Sequence, residues 1–153
     1  MKQNSVKEQS LNPQPNVRSA PQPAAEGLDE RVSAALHAAG EKKALSPVVL
    51  DLREIATFTD FFLIVSGANE RQVQAISDEI YETLKKSGHA AARVEGYKTA
   101  EWILLDYGDF VMHVFEQKAR KFYDLERLWR ESKRIDLPAE FNSDSAGSLR
   151  RES

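Results

Sequence analysis

The chain has no cysteine, which removes thiolate nucleophiles, zinc ribbons and disulfide scaffolds at a stroke. It has no cationic surplus either: Lys and Arg number 21 against 24 Asp and Glu, a formal net charge of −3. Non-specific phosphate binding needs a large positive excess, so a general nucleic-acid coat is excluded. Attachment to a nucleoprotein through a protein component is not. No apolar run approaches the roughly 20 residues that span a bilayer; the longest is Phe61–Val65. What is present, 153 residues of which 41% are hydrophobic, suffices for one domain with a real core and hardly for two. The expectation is a soluble, cytoplasmic, single-domain protein.

Proline is scarce except at the start, where four of the six lie within residues 1–27. That segment adds Gln3, Gln9, Asn12, Gln14 and Gln22 and almost no large apolar side chains, so it reads as a disordered tail. It lacks the apolar stretch of about 7–15 residues of a signal peptide, and Lys2, Lys7 and Arg18 are too few for a mitochondrial transit peptide. Residues 138–153, rich in Ser, Asn and Asp, read as a flexible C-terminal tail. The folded domain is placed at residues 28–137.

Within it the apolar spacing alternates between helix and strand. Leu28, Val32, Leu36 and Ala39 recur at helical spacing behind a capping Asp29. Val48–Leu52 and Phe61–Ser66 are short runs apolar on both faces, separated by a polar turn at Thr57–Asp60; such strands suit a sheet covered by helices. A helix with Val73, Ile76, Ile80 and Leu84 on one stripe follows Asn69 and ends near Gly88. Ala90–Glu95 suggests a short strand. Phe122, Leu125 and Trp129 suggest a final helix packed on the sheet. The fold class is α/β (α+β): a mixed β-sheet flanked by helices.

Glu101–Phe115 carries the most information, as two β-type runs around Tyr107-Gly108. With those two residues as the loop, Asp106 opposes Asp109, Leu104 opposes Val111 and Trp102 opposes His113. Ile103, Leu105, Phe110, Met112 and Val114 then share the core face, and Trp102, Leu104, Asp106, Asp109, Val111 and His113 the other. This second face joins apolar surface around Trp102 to opposed carboxylates. Residues 95–115 hold Glu95, Glu101, Asp106 and Asp109 against only Lys98. An aromatic anchor within an acidic rim suits docking of a basic protein. The competing reading is that a helix of the same chain covers the face and supplies the neutralising charge, for which Lys118, Arg120, Lys121 and Arg127 stand close by in sequence.

Catalytic chemistry finds little purchase. A nucleotidyltransferase needs Gly-Ser followed by an Asp-x-Asp pair for two magnesium ions; the corresponding turn reads Ser66-Gly67, and no Asp-x-Asp occurs. No Gly-x-Ser-x-Gly elbow is present, and His37 and His89 fall at solvated positions. Neither a metal nor a cofactor is expected, and the protein reads as non-enzymatic.

Thr59-Asp60-Phe61-Phe62, Ser66-Gly67, Arg71-Gln72-Val73, Glu95-Gly96, the run Trp102–Asp109, Val114-Phe115 and the run Phe122–Trp129 resemble, in order and spacing, the ribosomal silencing factor (iojap-like) family. The resemblance covers about residues 28–131. It implies a compact domain related to the nucleotidyltransferase fold. It also implies binding to the large ribosomal subunit at large-subunit ribosomal protein fourteen, blocking small-subunit joining and repressing translation when nutrients run short. Organellar relatives imply an alternative, large-subunit assembly without a block on joining. Carried onto this chain, the partner-binding positions are Glu95, Trp102, Asp106, Asp109 and His113, with Leu104 and Val111 flanking the tryptophan. Sequence-specific nucleic-acid recognition and membrane binding are not expected, and dimerisation through a free strand edge is left open.

Overall fold

The computed structural model describes residues 29–141; the tail assigned to residues 1–27, and residues 142–153 of the other, lie outside the described residues. Helix α1 (Glu30–Glu41) starts where the Asp29 carboxylate accepts the Arg31 N–H at 2.7 Å. Strands β1 (Leu45–Asp51) and β2 (Phe61–Gly67) follow, then α2 (Glu70–Lys86), capped by the Asn69 side chain. Next come β3 (Arg93–Glu95), β4 (Trp102–Asp106) and β5 (Phe110–Glu116), leading directly into α3 (Gln117–Tyr123). A one-turn helix α4 (Leu125–Leu128) and the two-residue strand β6 (Lys133–Arg134) complete the frame. The six strands form one mixed sheet in the order β3-β4-β5-β2-β1-β6, with β2 and β5 parallel and the other neighbours antiparallel.

Both α1 and α2 close one face of this sheet. Leu63, Val65, Ile103, Met112 and Val114 meet Val32, Val73, Ile76, Ile80 and Leu84 there, all without solvent exposure. Phe62, Ile64, Val111 and Phe115 point the other way, toward Ala119 of α3 and Leu125 of α4. Of the two strands that read as apolar on both sides, β2 lies at the centre and is buried along its whole length, as burial from both sides requires, whereas β1 stands one place further out and buries only Val49 and Leu50. Pro47 lies inside β1, where a bulge between Leu45 and Val48 and the edge-like position accommodate its missing N–H.

The β4–β5 hairpin corrects the expected register by two residues. Trp102 pairs with Phe115, Leu104 with His113 and Asp106 with Val111, so Asp106 does not face Asp109. The loop is Gly108-Asp109: Tyr107 N–H donates to the Phe110 carbonyl at 2.9 Å, and Asp109 N–H to the Tyr107 carbonyl at 3.1 Å across Gly108 at φ +86°. That tight turn needs the positive φ that glycine takes freely. The loop is pinned from outside, because the Thr59 hydroxyl donates to the Gly108 carbonyl and Asp60 N–H to the Asp109 carbonyl. Because the displacement is even, no residue of the two strands changes face.

Two further expectations need amendment. The last helical stripe is broken at Asp124, whose left-handed backbone (φ 49°) ends α3 and restarts the chain as α4. Phe122 is consequently 80% exposed rather than packed on the sheet, while Leu125 is buried. The folded part also runs past residue 137: Ala139–Phe141 form a 3-10 turn, and the buried Phe141 ring stands 4.6 Å from that of His37.

Candidate functional site

The register sets the second face out in rows. One runs Arg93, Asp106, Val111, Phe62 and Leu50; the next runs Glu95, Leu104, His113, Ile64 and Val48; a third begins Trp102, Phe115 and Ser66. Helices α3 and α4 lie over the β5–β2–β1 half, which buries Phe62, Ile64 and Leu50. The β3–β4 half stays open, leaving Trp102, Leu104 and Asp106 only partly covered and Glu95 exposed. The chain's own helices thus cover one half of this face and leave the other half open.

Trp102 lies at the seam. Its ring centroid is 4.9 Å from those of Phe115 beneath it and Tyr123 of α3 beside it. Its indole N–H donates to His113 Nδ1 at 3.0 Å. His113 is 3% exposed and Val111 8%, so neither of these two expected contact residues reaches solvent. Burial pushes the His113 imidazole down to a pKa of about 3, keeping it neutral at physiological pH. Asp109 leaves the face altogether: its carboxylate accepts from Arg31 at 2.8 Å, tying the hairpin tip to the start of α1. Of the seven expected positions, Glu95, Trp102, Leu104 and Asp106 form the open surface, and Val111 and His113 support it from below.

An aromatic belt that the sequence reading did not assemble extends this surface. Phe58 is 60% and Tyr123 46% exposed. Phe58 stands 5.9 Å from Trp129, Trp129 5.5 Å from Phe62, and Phe62 4.4 Å from His113, each edge to face. The rings therefore connect Phe58 to Trp102 and Tyr123 through His113. One signal was available for Phe58, a large aromatic in an otherwise polar turn. None marked Tyr123, which reaches Trp102 only because α3 folds back from the end of β5 with Glu116 capping its first N–H groups.

An apolar, aromatic-centred face with a charged rim has the anatomy of a docking surface. The profile of the family described as "Ribosomal silencing factor during starvation" (RsfS) matches residues 25–153. The chain belongs to this family. A "Ribosomal silencing factor RsfS" of Halalkalibacterium halodurans is 41% identical over 108 residues, 71% of this chain and 92% of that protein. One from Bacillus subtilis is 39% identical over 65% of this chain and 85% of its own. A crystal structure from Bacillus halodurans superposes with a TM-score of 0.64 at 41% identity, covering 71% of this chain and 98% of that one.

In this RsfS-family chain the quoted motifs have readable structural duties. Thr59 and Asp60 hold the hairpin tip, as described above. Gln72 joins α1 to α2, donating to the Lys42 and Lys43 carbonyls while accepting from the Ala68 N–H. Gly96 takes φ +81°, and a Cβ there would collide with the Trp102 carbonyl, so the chain can enter β4 this way only without a side chain. Ser66, expected in a turn, is 3% exposed and its hydroxyl accepts from Arg120 at 2.8 Å. Among the described residues no group of three His, Asp or Glu side chains is placed to hold a metal ion, and no helix is long and apolar enough to cross a membrane.

The acidic rim is bridged internally. Arg93 reaches Glu95 at 3.0 Å through one guanidinium nitrogen and Asp106 at 3.2 Å through the other, with its side chain 57% exposed. At that exposure the two pairs hold weakly. They remove the mutual repulsion of the carboxylates, the role that the sequence reading gave to α3. Arg120 of α3 is instead engaged with Glu126 at 3.1 Å.

Proposed function

We propose that this protein is a non-enzymatic translation repressor of the cytoplasm that docks its open β3–β4 face on large-subunit ribosomal protein fourteen. Bound there, it stands in the way of the small subunit and lowers translation under nutrient limitation. Family membership and the names of the relatives support the ribosomal setting. The observation that carries the choice of surface is the partly exposed Trp102, fixed by His113 and flanked by Leu104, with Glu95 and Asp106 at its margin. Basic side chains of the partner take the place of Arg93 on these two carboxylates, an exchange of ion pairs that favours a cationic partner and rejects an acidic one.

Sedimentation with isolated subunits tests this. The wild-type protein is expected to travel with the large subunit alone and to reduce joining, and Trp102→Ala, checked for folding, to lose both. Binding without any effect on joining would replace occlusion by the assembly reading. A folded wild-type protein that fails to bind would sink both.

A further inference from the structure

The site contains a histidine that the partner cannot touch. Trp102 has a single polar group, an indole N–H that can only donate, and it is directed at His113 Nδ1 3.0 Å away. Nδ1 is therefore the accepting nitrogen and the ring proton resides on Nε2. That Nε2 is buried and has no hydrogen-bond partner among the described residues. Leaving a buried donor unpaired is unfavourable, and an apolar side chain of similar size would avoid the cost. The bond to Trp102 is what the imidazole supplies in return.

Its surroundings hold it in place. The Phe62 ring meets the imidazole edge-on at 4.4 Å and Phe115 lies parallel at 6.3 Å, while Leu104 and Ile64 are its cross-strand neighbours. All four are apolar, so Trp102 is the sole polar contact made by this imidazole among the described residues.

We propose that His113 is the positioning residue of the docking face, holding Trp102 by its N–H so that the partner meets the carbon surface of the indole and never its donor. The inference rests on the docking reading given above and narrows it. The contacting groups of the partner are apolar or cationic, which pack on an aromatic ring, and not hydrogen-bond acceptors. Without the bond the partly exposed ring would turn about its side-chain torsions, and docking would have to immobilise it.

The test measures large-subunit binding by Trp102→Phe, His113→Leu, His113→Asn and the Trp102→Phe/His113→Leu double variant. Indole-proton exchange is followed alongside in the free, 15N-tryptophan-labelled protein. Asparagine keeps an acceptor near the place of Nδ1; leucine does not. Trp102→Phe, which lacks the N–H, and His113→Leu, which lacks the acceptor, both break the bond, and each is expected to bind about tenfold more weakly than wild type while still folded. His113→Asn recovers most of that loss, and His113→Leu added to Trp102→Phe costs nothing more. The Trp102 indole proton is protected from exchange in wild type and His113→Asn, and unprotected in His113→Leu.

The proposal is overturned if His113→Leu weakens binding equally in both backgrounds, since the role is then merely structural. Loss by Trp102→Phe as severe as by Trp102→Ala overturns it too, because the N–H is then itself recognised; so does free exchange of the indole proton in wild type. The exchange measurement needs no partner. If Trp102→Ala leaves subunit binding intact, the docking reading has failed, and exchange alone still decides whether His113 holds the ring.

Discussion

The two faces of the sheet use the same strands for opposite ends. On the α1–α2 face every inward residue of β4 and β5 is sealed: Ile103, Leu105, Phe110, Met112 and Val114 are at most 1% exposed. On the other face, the alternate residues of β4 remain part-open and are joined by Phe58 and Tyr123, large aromatics left in water. Adjacent residues thus answer to different demands. Ile103 is sealed in the core, and Leu104 is left part-open on the face proposed for docking. An apolar surface that α3 and α4 cover only in part, with rings positioned rather than loose, is the feature on which the proposed docking rests.

Neighbouring substitutions separate the demands most sharply. Ile103→Ala is expected to cost about 2–5 kcal/mol of folding stability, read by denaturant unfolding, with subunit binding unchanged in molecules that remain folded. Leu104→Ala should do the reverse, costing under about 1 kcal/mol of stability while weakening binding. Equal stability losses from the pair would dissolve the distinction between the faces.

Trp102→Ala comes next, with an expected loss of about 2 kcal/mol or more of binding energy, roughly thirtyfold in affinity. Affinity within threefold of wild type would move the interface elsewhere.

Acid should act through His113. Its pKa is about 3 in the folded protein against 6.5 for the free side chain, so between those values the unfolded chain takes up a proton that the native state refuses. Stability is therefore fully present above pH 6.5 and is lost as pH falls toward 3, with a slope approaching about 1.4 kcal/mol per unit. Glu126 and Asp51 are also lowered: burial raises both, but hydrogen bonds from Arg120 and Arg53 respectively outweigh it. Their contribution disappears only in the carboxylate range, so unfolding between pH 6.5 and 5 isolates the histidine. His113→Leu should flatten the profile there, and an unchanged slope would refute the assignment.

The smallest effect is expected at Arg31, which pairs with Asp29 at 3.1 Å and Asp109 at 2.8 Å. Arg31→Ala should cost no more than about 1 kcal/mol, because both partner carboxylates are substantially exposed and screened, and should leave subunit binding untouched. A marked loss of binding would return Asp109 to the interface.

Much of this organisation was legible from the residues. Period-two alternation placed Ile103 and Met112 on one face and Trp102 and Leu104 on the other, and an error of two residues in register could not disturb that. The contact between Trp102 and His113 was anticipated as a cross-strand pair; it exists as a side-chain bond although the strand partner of His113 is Leu104. The ion-pair partner of Asp109 was out of reach, since Arg31 stands 78 positions from it. So was the burial of His113, which depends on Phe62 of a parallel strand and on rings brought in by α3 and α4.

The sequence by itself determined the kinds of element, the two faces and the residues that share the face proposed for docking, because periodicity, capping and turn chemistry act between near neighbours. Only the tertiary structure decided which half of the second face is covered, where each carboxylate finds its cation, and that His113 lies beneath the surface holding Trp102. Those outcomes depend on the hairpin tip being pinned by Thr59 and Asp60 and on the chain breaking at Asp124. Both are set by contacts between segments whose meeting no local pattern encodes.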